Sequence, residues 1–332
     1  MSRPRFRVLI TDFIQEPLEI ERAILGDIAE VIAANAQSSE ELETINENPD
    51  ALMVYHFVSI RKPLLTRLTN CKLIVRCGAG FDNVDCLLAR ERGIDVANVP
   101  DYGTEDVADT ALALALSLAR GTHRLNQLCQ QGTQTWTYEL AVPLHRIRGQ
   151  TFGIIGLGRI GIATALRAKA FGFKVMFYDP YVVEGIDKAI GVTRVESLQD
   201  LMRQSNFVSC HCMLTPETHH MINGQTIEWL PEGSYLINTA RGAVVEPEAV
   251  LRGLSTGRLA GAALDVLEQE PPSADHPLVS AWRIREHVAN QRLILTPHAA
   301  FYSVEGLEDM RRKGAENVRR CLLGEKPRNI VN

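Results

Sequence analysis

The chain has 332 residues, 45% hydrophobic and 23% charged, a globular composition long enough for two domains that excludes disorder, collagen-like repeats and coiled coil. Lys+Arg number 35 against 40 Asp+Glu, a net charge of −5, so no basic footprint exists for nucleic acid or an anionic membrane surface. The longest apolar stretch, Ala111 to Ala119, is far short of the roughly 20 residues that cross a bilayer.

The basic start, Met1 to Arg7, precedes only Val8-Leu9-Ile10 before Asp12, too short a run for a signal-peptide core, and reads as a mature cytoplasmic N-terminus. Strands are expected at Phe6–Thr11, Ala29–Ala34, Ala51–Tyr55, Lys72–Arg76 and Ile94–Val99. Helices are expected between them at Pro17–Leu25, Ser38–Asn46, Pro63–Leu68 and Asn83–Arg92. Such alternation means a parallel sheet covered on both faces. Thr104-Glu105-Asp106 places a capping hydroxyl and two acids before a long apolar helix to about Arg120, where a second domain begins. After a polar connection from Gln131 to Gln150, strands are expected at Thr151–Ile155, Lys174–Tyr178, Phe207–Cys210, Ser234–Asn238, Gly261–Asp265 and Leu293–Thr296. The stretch Pro271 to Arg292 reads as a long excursion whose Trp282, Arg283 and Arg285 either line the cleft or pack on the surface, the second being the favoured reading. A last helix, Ser303–Leu323, has no strand left to serve and is expected to return to the first domain.

Seven cysteines make no even disulfide framework. Cys210-His211-Cys212 lies on a strand-like segment, where neighbours point to opposite faces, and no second ligand pair follows, so no metal site is expected. His219 and His220 read as a solvated helix end.

Gly156-Leu157-Gly158-Arg159-Ile160-Gly161 follows the run Thr151–Ile155 and opens a helix at Ile160–Phe171. Gly156 allows a tight turn, Gly158 lets the backbone approach a pyrophosphate, and Gly161 allows the helix to pack on the strand. The next strand ends at Asp179, where a carboxylate would accept hydrogen bonds from an adenosine ribose and repel a 2′-phosphate, favouring NAD over NADP. With a complete α/β set already behind this motif, ligands are expected in the cleft between two domains. Three further polar groups recur at strand ends: Arg241, Glu270 and His298.

These motifs, together with Val75-Arg76-Cys77-Gly78-Ala79-Gly80-Phe81-Asp82-Asn83, Asn98-Val99-Pro100, Gly261 to Val266 and Pro297 to Ser303, resemble the D-isomer-specific 2-hydroxyacid dehydrogenase family, in its branch of C-terminal binding proteins. The resemblance implies an α/β chain of two Rossmann-like or flavodoxin-like parallel-sheet domains with the active-site cleft between them. Residues 1–102 plus 300–332 would form the substrate domain and residues 103–299 the inserted NAD-binding domain. It implies a catalytic set of Arg241, Glu270 and His298. Cofactor contacts would come from Gly156, Gly158, Arg159, Ile160, Gly161, Asp179, His211, Thr215, Thr239 and Asp265. For His211 a buried strand histidine, and for Asp265 a helix cap, remain the other readings. Substrate contacts would come from Gly78, Ala79, Gly80, Arg241 and Phe301.

The chemistry suits these residue types. Reducing a 2-oxo acid needs a hydride from the cofactor and a proton for the carbonyl oxygen, which a histidine at position 298 oriented by Glu270 can give. Arg241 offers a planar fork for the carboxylate, and the N–H groups of Gly78, Ala79 and Gly80 could hold its far oxygen. Phe301 stands where the transcriptional C-terminal binding proteins have tryptophan, and Ala79 replaces a serine. The leading expectation is an NAD-dependent D-2-hydroxyacid dehydrogenase. An NAD(H)-responsive corepressor-like scaffold and phosphoglycerate dehydrogenase are the alternatives. Residues 104–120 and the arm after them resemble the family's dimerisation elements, implying a homodimer.

Overall fold

Five parallel strands build the first unit: β1 (Phe6–Ile10), β2 (Ala29–Ala33), β3 (Ala51–Val54), β4 (Leu73–Arg76) and β5 (Asp95–Asn98), in the order β2-β1-β3-β4-β5. The chain was described as a computed structural model over residues 6–45, 47–132 and 136–332. The basic N-terminal five residues, Asn46 and part of the connection after Gln131 lie outside the described residues. Val8 pairs with both Val31 and Ala51, so β1 sits inside the sheet and is covered on both faces. Each strand ends at or near the expected position, but apolar residues stay buried past the ladder, as Tyr55 (1% exposed) and Val99 (2%) do. Hydrophobicity alone therefore overruns the strand ends.

The short helices of this unit, Glu19–Leu25, Ser39–Thr44, Lys62–Arg67 and Cys86–Glu91, start on local caps. Ser38 accepts from the Glu41 N–H and Asp85 from the Leu88 N–H. The long helix Val304–Leu322 packs on the sheet of this unit, as its lack of a strand to serve led us to expect. A Cβ on Gly314 would lie 2.8 Å from the Cys77 sulfur and 3.0 Å from Met53 Cε, so only glycine lets the helix lie that close. From the same helix Arg311 grips Glu21, which is fully buried, through two contacts of 2.7 Å. The pairing holds the Arg311 guanidinium above its ordinary range.

The second unit, Thr104–Phe301, is a seven-stranded parallel sheet. Its strands are β6 (Thr151–Ile155), β7 (Lys174–Tyr178), β8 (Thr193–Arg194), β9 (Phe207–Cys210), β10 (Ser234–Asn238), β11 (Leu259–Leu264) and β12 (Leu293–Leu295), in the order β12-β11-β10-β9-β6-β7-β8. Neighbouring residues serve opposite faces. Phe207 and Ile237 pack with helices Thr104–Arg120 and Arg159–Ala170, while Val208 and Leu236 pack with helix Pro247–Thr256. The strand order reverses between β6 and β9, the topological switch at which doubly wound sheets place ligands.

Several sequence expectations need correction. Ala300 and Phe301 belong to the second unit rather than to the terminal one, because the Ala300 N–H donates to Asp265 and its carbonyl accepts from Thr110. Trp282 is not a surface residue. Its Nε1 donates to the Leu293 carbonyl at 3.1 Å, and its ring packs on the apolar cluster containing Leu278 and Leu293. The excursion before β12 thus contains two short helices, Pro277–Arg283 and Val288–Arg292, while Arg283 and Arg285 are exposed. A separate helix, Thr122–Gln130, follows Gly121, whose φ of 60° ends the long helix. Residues 216–220 form a turn rather than the helix end expected for His219 and His220.

Candidate active site

The glycine motif folds as the turn from β6 into helix Arg159–Ala170. Gly156 has φ 89°, and a Cβ there would lie 2.7 Å from the Cys212 nitrogen, so the chain following β9 presses directly on the turn. A Cβ on Gly161 would lie 2.1 Å from the Gly156 carbonyl oxygen, which makes glycine the only residue that lets the helix close on the strand. Gly158 differs: a Cβ there would meet nothing within 4 Å. It is the helix N-cap and gives no side-chain cap. Open space beside the N–H groups of a helix start is a cradle for an anionic group. Asp179, at the end of β7, accepts from the Leu157 N–H at 2.8 Å and the Tyr181 N–H at 2.9 Å, one on each oxygen. Each carboxylate oxygen retains a lone pair for a ribose hydroxyl.

Two polar atoms at the same strand ends are buried without a hydrogen-bond partner among the described residues: Thr239 Oγ1, after β10, and His211 Nδ1, after β9. The other ring nitrogen of His211 contacts Ser209 Oγ at 2.8 Å, and burial pulls the imidazole down to about 4, so the ring is neutral at ordinary pH. The strand ends at Cys210, so His211 sits in the following loop rather than on a strand. Burial pushes the Cys212 thiol up to about 11 and Cys210 well above its ordinary value, which leaves both thiols protonated at ordinary pH. The Thr215 N–H donates to Thr218 Oγ1 at 2.8 Å, fixing the loop beyond. Orphaned polar atoms beside a phosphate cradle at the switch point fit a dinucleotide.

The catalytic candidates converge at the ends of β10, β11 and β12. After β10, the fully buried Asn238 side chain folds a turn by accepting from the Ala240 N–H and donating to the Arg241 carbonyl. Arg241 Nη1 also donates to the Ala240 carbonyl at 2.8 Å. The next residue, Gly242, allows this turn to press against the loop after β11: a Cβ on it would lie 1.9 Å from the Leu267 carbonyl carbon and 2.2 Å from the Glu268 nitrogen. In that loop the Leu267 N–H donates to one oxygen of Glu270 at 2.7 Å, and the other lies 2.6 Å from His298 Nδ1. The imidazole is thus aimed by a carboxylate that is itself aimed by a backbone N–H. Phe301 sets its ring edge-on to His298 at 6.2 Å.

Asp265 does not fill the helix-cap reading of its position. Only 2% exposed, it accepts from Thr296 Oγ1 (2.5 Å), the Ala299 N–H (3.0 Å) and the Ala300 N–H (3.0 Å). Its own carbonyl accepts from the His298 N–H at 2.8 Å, and His298 has φ 51°, a left-handed conformation that needs such support. Asp265 therefore caps no helix but holds the loop that presents His298.

In the first unit, Gly78 follows β4 with φ 155°, and a Cβ there would collide with Arg76 Nη1 at 1.3 Å. Its N–H donates to the Arg76 carbonyl at 2.9 Å, so of the three amides expected to hold substrate, this one is already engaged. The Ala79 carbonyl accepts from Asn98 Nδ2 at 2.7 Å, which fixes the loop. Sequence reasoning passed over Asp12 at the end of β1. Fully buried, it accepts from the N–H groups of Tyr55, His56 and Phe57 and shapes the loop after β3. Its signal was a lone acid closing an apolar run.

Residues 112–300, more than half of the chain, match the family model described as D-isomer specific 2-hydroxyacid dehydrogenase, NAD binding domain. C-terminal-binding protein 1 of Caenorhabditis elegans is 35% identical over 321 residues, 94% of this chain and 43% of that protein. D-3-phosphoglycerate dehydrogenase of Methanocaldococcus jannaschii is 32% identical over 326 residues, 98% of this chain and 59% of that protein. The chain thus spans about half the length of the curated relatives it matches. Among solved structures, D-lactate dehydrogenase from Aquifex aeolicus, complexed with NAD and lactic acid, superposes with a TM-score of 0.84 at 30% identity over 96% of each chain. The chain belongs to the D-isomer-specific 2-hydroxyacid dehydrogenase family, and its glycine turn, switch point and strand-end polar groups lie within the NAD-binding domain of that family.

Proposed function

We propose that the protein is an NAD-dependent oxidoreductase that interconverts a 2-oxo acid and a D-2-hydroxy acid. The observation that carries the reading is the 2.6 Å pairing of His298 Nδ1 with Glu270 on a loop held by Asp265. Gly156, Gly158, Arg159, Ile160 and Gly161 would hold the dinucleotide phosphates, Asp179 its adenosine ribose, and Thr239 and His211 its further polar groups. A bound nicotinamide supplies the hydride. His298 holds the proton: with Nδ1 engaged by Glu270, Nε2 is the nitrogen that hands it to the carbonyl oxygen. Arg241 binds the substrate carboxylate through its fork. Phe301, beside the His298 ring, bounds the space for the substrate side chain. The carboxylate of Asp179 supports NAD over NADP through repulsion of a 2′-phosphate.

The arm beyond Gln131 exposes Trp136 (86%), Tyr138 (79%) and Val142 (58%), an apolar surface that supports a homodimer. The net charge of −5 supports a small-molecule substrate rather than a nucleic acid. No helix among the described residues is long and apolar enough to cross a membrane. The test is NADH oxidation with a panel of 2-oxo acids, using the unaltered protein and His298→Ala. The substituted protein should lose about 10²–10⁴-fold in kcat while still binding NADH. Near-normal turnover by His298→Ala would overturn the mechanism, and no turnover of any 2-oxo acid by the unaltered protein would favour an NAD(H)-responsive scaffold.

A further inference from the structure

Two adjacent histidines and a glutamate 48 residues further on face one another. His219 Nε2 lies 3.7 Å from Glu268 Oε1, and His220 Nε2 lies 3.0 Å from Oε2. The two rings are 4.1 Å apart, tilted by 30°. One ligand atom from each of the three residues lies within 4.8 Å of the others. Adjacent side chains on an extended chain would diverge. Here His220 has φ 48°, which turns the chain so that both rings meet the same carboxylate. That left-handed residue is secured from both sides, its N–H donating to the Ala243 carbonyl at 2.8 Å and its carbonyl accepting from Asn223 Nδ2 at 3.0 Å. Side-chain exposures of 49%, 35% and 44% for His219, His220 and Glu268 leave the cluster open to ions from solution.

We propose that His219, His220 and Glu268 form a binding site for a first-row transition-metal ion of the Zn²⁺ type. Metal–ligand bonds of about 2.1 Å place adjacent donors around a tetrahedral ion about 3.4 Å apart. The observed separations, 3.7 Å from His219 to Oε1 and 3.0 Å from His220 to Oε2, lie near that value, so rotations of exposed side chains within a set of atoms already inside 4.8 Å of one another bring three donors onto one ion, with water in the fourth position. Two imidazoles and a single carboxylate suit Zn²⁺, Ni²⁺ or Cu²⁺, whereas Mg²⁺ and Ca²⁺ demand oxygen ligands throughout. The site stands on this geometry alone and does not depend on the dehydrogenase reading. It shares no residue with the pair proposed to donate the proton: neither imidazole is His298, and its carboxylate is Glu268, not Glu270.

The test is equilibrium dialysis of the chelator-treated protein against Zn²⁺, with Mg²⁺ as the control cation and Co²⁺ as a visible probe of tetrahedral coordination. The expected result is retention of Zn²⁺ but not Mg²⁺. His219→Ala and Glu268→Gln should each weaken Zn²⁺ binding at least about tenfold, the size typical of losing even an outer-shell partner, and should abolish the Co²⁺ absorption band. Glu270→Gln should leave both signals in place, which separates this site from the catalytic pair. Because His219 is half exposed, its alanine variant should keep the thermal midpoint of the unaltered protein, checked by circular dichroism. Absence of Zn²⁺ retention, or retention that survives both His219→Ala and Glu268→Gln, would overturn the proposal.

Discussion

Replacing Asp265 by asparagine keeps the size of the side chain and removes one acceptor. In the protein Oδ1 accepts from Thr296 Oγ1 and the Ala299 N–H, and Oδ2 from the Ala300 N–H. An asparagine with its oxygen in the Oδ1 place turns its NH₂ group against the Ala300 N–H. The flipped rotamer satisfies Ala300 and can donate to the threonine hydroxyl, but sets NH₂ against the Ala299 N–H. Either way one backbone donor loses its charged acceptor where the side chain is 2% exposed and water cannot replace it. Loss of that bond and the stranded donor together cost about 3 kcal/mol, equivalent to a fall of about 6–12 °C in the midpoint of a unit this size. The two residues affected directly follow His298, whose left-handed backbone depends on the same loop. A displacement of about 1 Å at the imidazole lowers turnover by about a hundredfold. Thermal unfolding followed by circular dichroism, together with kcat on the best 2-oxo acid, measures both effects. An unchanged midpoint with unchanged kcat would refute the assignment of Asp265 as the residue that holds the His298 loop.

Gly158→Ala should leave stability within about 0.5 kcal/mol, because its Cβ meets open space, yet weaken NADH binding on the order of tenfold or more by filling the phosphate cradle. Gly161→Ala, whose Cβ collides with a carbonyl at 2.1 Å, should instead lower stability by about 1–3 kcal/mol, and calorimetry with fluorescence titration distinguishes the two. Arg311→Met should lower stability by about 3–5 kcal/mol by stranding the buried Glu21, and Glu21→Leu added to it should restore most of the loss in the same melting assay. For His211, burial lowers the folded value to about 4 against roughly 6.5 in the unfolded chain. As pH falls below about 6.5 the unfolded chain takes up a proton that the folded chain refuses. The contribution is therefore full above that pH and is lost, by about 3 kcal/mol, on descent to pH 4. His211→Gln should flatten that part of the stability–pH curve.

The strands were legible because a parallel sheet buried on both faces needs continuous apolar runs, and Thr151–Ile155 and Phe207–Cys210 are such runs. The glycine motif was legible because each glycine meets a local backbone requirement within one strand–turn–helix unit. What escaped reading depends on partners distant in sequence. Glu21 meets Arg311 across 290 residues, and nothing near either residue announces the other. Trp282 carries an apolar body and one donor, so a segment rich in proline and arginine concealed that it docks on Leu293. His219 and His220 looked like solvated polar residues because Glu268, which gives them a shared partner, arrives from the loop after β11.

That loop explains why the strand-end pattern singled out Glu270 and His298 but not how the acids beside them divide their contacts. Asp265 and Glu270 lie five residues apart on it, and both act on His298, in different ways. Asp265 grips the backbone on the far side of the histidine, through Ala299 and Ala300, and its carbonyl accepts the histidine's own N–H. Glu270 grips the ring through Nδ1 while its second oxygen is fixed by the Leu267 N–H. One carboxylate thus sets where the imidazole is, and the other sets which way it faces. A sequence shows that two acids stand close to a strand end. Only the closure of β12 against β11, which brings Thr296 and His298 beside them, separates an acid that positions backbone from one that orients an imidazole.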